Sequence, residues 1–134
     1  IQGLETADYA LYSLENQVAD KVCAMLQKYP GGGSSRVKDL VDLVLIANSF
    51  QVEAKRLDEA LEIELELREM LRPIRFMVDR TWELAYLKMA RTLPSISHNT
   101  SLDNAEKLVN AFVFSIPIER GRNTQWSPTL GKWT

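Results

Sequence analysis

The chain has 134 residues, of which 46% are hydrophobic and 25% charged, with a formal charge of -2. A length of this order supports one domain that buries about two-thirds of its unfolded surface, and leaves no material for a second independent core. The near-neutral balance gives no reason for a polyanionic partner, and Cys23, the only cysteine, excludes an internal disulfide or a CxxC metal site and is compatible with a reducing compartment.

No apolar run approaches the roughly 18 residues of a membrane span, because Asp39, Asp42 and Asn48 interrupt the richest stretch, Val37 to Phe50. A soluble domain is expected, with its compartment unassigned. The start at Ile1 rather than Met, without a basic-then-apolar leader, points to a processed form or an excised piece of a longer protein.

Thr6 is placed to cap a first helix running to about Lys28, with Tyr9, Leu11 or Tyr12, Val18, Val22, Met25 and Leu26 on one apolar face. Residues 30–35, Pro-Gly-Gly-Gly-Ser-Ser, end it and read as a flexible connector. The run lacks the spaced glycines and the Lys-Ser/Thr of a phosphate-binding loop. Ser35 caps a second helix carrying Val37, Leu40, Val41, Val44 and Leu45 on one side and Leu43, Ile46 and Phe50 on another, so two of its faces are apolar. Asn48 and Gln51 have capping-box spacing, and the chain either turns a corner there into a third helix or continues as a rod.

From Val52 to Leu71 strong helix formers set Leu57, Leu61 and Leu65 on one line and Ile63, Leu67 and Met70 on another. The segment from Leu61 to Leu67 also alternates with a period of two, but its Glu-Leu composition and the lack of flanking turns decide for helix. Pro73 predicts a kink or a hairpin turn near Leu71 and Arg72. A returning helix to about Thr92 would set Glu66 against Arg80 and Asp58 against Lys88. Thr100 and Asp103 start a shorter helix to about Phe112, after which Val113, Phe114, Ile116 and Ile118, with Pro117, make a short extended segment. The fold class is therefore all-α, a four- to five-helix bundle with a long central hairpin or kinked helix at Pro73. Residues 1–118 form one helical domain, and residues 119–134 form a polar, weakly structured tail.

Marks of a catalytic site are scarce. His98, the only histidine, sits in a predicted loop without a triad motif, and Cys23 has no nucleophile signature around it. Asp58, Glu59, Glu62, Glu66 and Glu69 form an acidic helix stripe, but a di-metal bundle also needs Glu-x-x-His pairs. The stripe reads instead as a solvated face laddered to Arg72, Arg75, Arg80 and Lys88. No catalytic, cofactor-binding or metal-ligating residue is assigned on this basis, and no cofactor is expected.

Apolar residues on more than one side of the two central helices exceed what a small bundle readily covers. The expected function is a non-enzymatic interaction or assembly module that associates with itself or with a protein partner. Leu43, Ile46, Phe50, Ile63, Leu67, Met70, Trp126 and Trp133 are its candidate contact residues. The alternatives are a bundle holding a small apolar ligand between residues such as Trp82, Tyr86 and Met89, and a nucleic-acid adaptor using Arg120, Arg122, Trp126, Lys132 and Trp133, which is not favoured because the tail is short and sparsely basic.

Overall fold

Ser13 caps the first described helix, α1 (Leu14–Leu26), by accepting the Asn16 N–H at 3.2 Å. The computed structural model describes residues 12–27, 33–96, 99–117 and 124–134. After α1 come α2 (Gly33–Ser49), a two-residue strand β1 (Val52–Glu53), α3 (Ala54–Leu67), α4 (Glu83–Ala90), α5 (Leu102–Val113), and strands β2 (Gln125–Ser127) and β3 (Lys132–Trp133). Single 3-10 turns at Arg80–Trp82 and Pro94–Ile96 flank α4. The mostly helical bundle expected from the periodicity is what forms. The start of the first predicted helix at Thr6, residues 30–32 of the predicted connector and His98 lie outside the described residues, while residues 33–35 of that connector are already the first turn of α2, so Ser35 is a helix residue rather than the expected cap.

Helix α2 is the axle of the bundle. It packs against α1, α4, α5 and the second 3-10 turn, while α1 packs on α3 as well. Its two apolar faces are therefore largely covered from within the chain: Val37, Leu40, Leu43, Val44 and Ile46 are all buried, Leu45 is half-buried, and Phe50 just past the helix is exposed. The chain does turn a corner after Ser49, and the corner holds strand β1.

The Pro73 hairpin does not form. Helix α3 ends well before the proline because Glu69 adopts the left-handed conformation, with φ 56°. Its N–H reaches the Glu66 carbonyl at 3.1 Å while Met70 N–H returns to the Leu65 carbonyl at 2.9 Å. These two bonds make a Schellman cap, which satisfies the last carbonyls and turns the chain away from the helix axis. The next stretch is extended, with Phe76 and Val78 buried while Arg75 and Met77 face outward. Two side chains of α5 act as its pairing strand. Asn110 accepts the Phe76 N–H at 2.7 Å and donates to the Phe76 carbonyl at 3.0 Å, and the Glu106 carboxylate accepts the Val78 N–H at 2.8 Å. Arg80 accordingly pairs with Asp103 and Glu106 rather than Glu66, and Asp58 pairs with Arg72 rather than Lys88.

Residues 124–134 depart from the expected weak structure. They supply two strands of a three-stranded antiparallel sheet, β1-β2-β3, with Val52 opposite Trp126 and Trp126 opposite Trp133. The turn between β2 and β3 closes through Gly131, whose φ of +67° favours glycine, with its N–H on the Ser127 carbonyl at 2.8 Å. Trp126 is fully buried and donates its indole N–H to the Ala47 carbonyl at 2.7 Å. Its ring lies 4.8 Å from that of Phe112 and 5.6 Å from that of Trp133. Burying such aromatic area outweighs the polar composition of the segment.

Candidate functional site

Helices α1 and α2 run antiparallel, since positions that meet rise in number along one helix as they fall along the other: Lys21 meets Asp42, and Gln17 shares a groove with Ile46 and Ser49. Asp39 and Asp42 are one helical turn apart, so both carboxylates fall on the face of α2 that meets α1. Lys21 Nζ stands 3.0 Å from Asp42 and 3.8 Å from Asp39. Arg36 reaches Asp39 at 3.0 Å from one turn earlier, and Lys38 reaches Asp42 at 3.1 Å. Three cations thus stand over two carboxylates in one seam.

The seam is half withdrawn from water. Lys21, Arg36, Asp39 and Asp42 are all partly buried, and only Lys38 is well exposed. Burial raises the Asp39 carboxyl above the usual carboxylate range, with Asp42 and Asp20 adding to the rise, while Lys21 and Arg36 pull it back. Asp39 therefore holds a proton more readily than a surface aspartate does. Lys21 and Asp42 also form part of the wall of an open groove of about 410 Å³ that continues along both helices to Phe50. Among the described residues no three His, Cys, Asp or Glu side chains converge as metal ligands, and each seam carboxylate already has cations against it, so no step is derived through a metal ion.

A second charged seam joins α1 to α3. Arg68 reaches Asp20 at 2.7 Å, Glu64 at 2.8 Å and the Gln27 side-chain oxygen at 2.9 Å. Here one cation is bound by two acids and an amide. Beside it Cys23 is buried, and loss of solvent pushes its thiol up to about 11. A neutral, enclosed thiol is a core filler rather than a nucleophile. Arg72 holds Asp58 and Glu62 of the acidic stripe, so part of the expected ladder is present.

The candidate contact residues scatter. Leu43, Ile46 and Trp126 are buried in this chain's own core. Trp133 is half-buried and donates to the Ala111 carbonyl at 3.1 Å, and Met70 packs at the core margin. Phe50, Ile63 and Leu67 are exposed. Trp82 and Tyr86 are core residues, and the Tyr86 hydroxyl donates to the Asn99 carbonyl at 2.6 Å.

Lys21, Arg36 and Lys38 escaped the sequence reading, which used Asp39 and Asp42 only as interruptions of an apolar run. The interruption was itself the signal. Two aspartates one turn apart on a helix otherwise buried on both faces must meet cations or a ligand, because unpaired carboxylates are costly to enclose.

One family profile, described as "Nucleotidyl transferase AbiEii toxin, Type IV TA system", matches residues 1–110. Searches among curated proteins and among solved structures find no match. The profile overturns the expectation of a non-enzymatic assembly module, since it points to an enzymatic toxin. That expectation leaned on missing nucleophile and histidine motifs, whereas transfer at phosphorus depends chiefly on placed charges. The toxin–antitoxin description also implies a protein counterpart, the antitoxin. No helix among the described residues is long and apolar enough to cross a membrane.

Proposed function

The chain belongs to the AbiEii nucleotidyl transferase toxin family, and from that premise we propose that it moves a nucleotidyl group from a nucleoside triphosphate to an acceptor hydroxyl, using the Lys21–Asp39–Asp42 seam. The observation that carries this reading is the lysine held between two half-buried carboxylates at the wall of an open groove. An ammonium at the wall of an open groove is placed to meet a phosphate oxygen, and partial burial strengthens that interaction.

In such a reaction the acceptor oxygen bonds to the α-phosphorus, the bond from that phosphorus to the bridging oxygen breaks, and pyrophosphate leaves with the electron pair. The proton of the acceptor hydroxyl passes to Asp39, whose burial suits it to receive one. Lys21 stabilises charge on the phosphate oxygens as a compact point charge, and the two aspartates fix where its ammonium sits.

The test is transfer of label from α-³²P nucleoside triphosphates to total cellular RNA and protein in the presence of Mg²⁺. The wild-type protein labels an acceptor, and Lys21→Ala and Asp39→Asn each reduce labelling about 100-fold or more with unchanged far-UV circular dichroism. A wild-type protein that labels nothing, or a Lys21→Ala protein of full activity, overturns the assignment.

A further inference from the structure

Helix α3 turns Leu57, Leu61 and Leu65 into the core, yet it also carries Ile63 and Leu67, which are 61% and 75% exposed. At about 100° per residue Ile63 points roughly 160° away from both Leu61 and Leu65. It stands near the middle of the side that faces away from this chain's core, and Leu67, one turn on, shares that side. A single exposed aliphatic residue is ordinary. Two of them one turn apart, aimed away from the core, make a row along which a second helix can lie.

The charges beside this row are sorted and unspent. Asp58, Glu62 and Glu64 pair with Arg72 and Arg68. Arg56, Glu59 and Glu66 fall on the outward side with Ile63 and Leu67, and none of the three has an ion-pair partner among the described residues. Their order also runs against the helix itself. The first turn of α3 contains Arg56 and no acid, and its last turn contains Glu66 and no base. A helix start favours negative charge and a helix end positive charge, so both groups stand at the wrong pole of their own helix. A second helix laid antiparallel on the row reverses this, bringing its acidic end to Arg56 and its basic start to Glu66.

We infer that the outward face of α3 binds the same face of a second copy of this chain, the two helices antiparallel about a two-fold axis. The face is its own complement, as such an axis requires. In the register that sets Arg56 of each copy against Glu66 of the other, the two Ile63 side chains stand about 6 Å apart along the axis, on either side of the two-fold. The face is small, so the dimer is a weak, micromolar one. The seam at Lys21 belongs to α1 and α2 and contributes nothing to this face, so association and transfer are separable properties of the chain.

The experiment is sedimentation equilibrium between about 1 and 300 µM on the wild-type protein, Ile63→Asp, Arg56→Glu, Glu66→Arg and the double reversal Arg56→Glu/Glu66→Arg, each checked by far-UV circular dichroism. All three side chains are exposed, so the variants keep the fold. The wild type dimerises, Ile63→Asp raises Kd about 100-fold or more, each single reversal raises it about tenfold, and the double reversal restores it. A wild type that stays monomeric throughout overturns the inference, whatever other protein covers the row. A dimer indifferent to Ile63→Asp overturns it as well, and single reversals that the double reversal fails to rescue overturn the antiparallel register.

Discussion

Helix α1 has charged seams on two sides, and they are built to different ends. Toward α3, Arg68 is bound by Asp20, Glu64 and Gln27, so one cation meets two acids and an amide, next to a buried neutral thiol. Toward α2, Lys21 shares Asp39 and Asp42 with Arg36 and Lys38, and a groove opens beside Lys21 and Asp42. Both seams look alike as tallies of ion pairs. Their difference lies in access: Arg68 is held by two acids and an amide, whereas Lys21 also lines an open groove. An ion pair alone is weak evidence for function or for stability, but a charged group lining a cavity is a reason to look for a substrate.

Crossed substitutions in the two seams give the largest contrast. Lys21→Ala is expected to lower kcat/KM for transfer by about 100-fold or more while leaving the urea midpoint nearly unchanged. Arg68→Met is expected to do the reverse, lowering stability by about 1–3 kcal/mol in urea denaturation and leaving kcat/KM close to wild type. If Arg68→Met abolishes transfer without loss of stability, the division between the two seams fails.

The buried thiol sharpens the same contrast through pH. Cys23 has its folded-state value raised to about 11 by burial, so the native protein keeps a proton that the unfolded chain gives up nearer the ordinary thiol value. Its contribution to stability is full below that value and is lost as pH rises through about 11. Urea midpoints should therefore fall more steeply between pH 8 and pH 10.5 in the wild type than in Cys23→Ala. Equal slopes would mean that the thiol is not enclosed.

The smallest effect concerns the cap that follows Arg68. Glu69 holds φ 56° without being glycine, a conformation that is unfavourable for a residue with a Cβ. Replacement by glycine is expected to stabilise the domain by about 0.5–1 kcal/mol, read from thermal or urea unfolding, with no change in transfer. A loss of stability would show that the side chain at this position makes a contact worth more than the strain.

Most helices were legible because their apolar spacing is strong: α2 and α3 lie where the leucine and valine lines place them, and α5 starts within two residues of the predicted cap. Pro73 misled because proline was taken as the only stop signal. The actual stop is a Schellman cap at Glu69 and Met70, and no glycine marked it. The tail misled for the opposite reason, since its glycine, proline and charges read as disorder, while Trp126 and Trp133 are long-range partners of Phe112 and Ala47. For the site, Asp39 and Asp42 were visible as anomalies in an apolar helix, but Lys21 belongs to a different helix and nothing local ties it to them.

Local pattern, then, determined which segments of this protein are helical and which of their faces are apolar, because periodicity and propensity act over a few residues. Tertiary structure alone decided that α2 is covered by its own chain, that the extended stretch after α3 pairs with side chains of α5, and that Lys21, Arg36 and Lys38 gather on two aspartates beside a groove. Each of these outcomes depends on groups that are distant in sequence and become neighbours only when the core closes, and such long-range meetings leave no periodic trace in the chain.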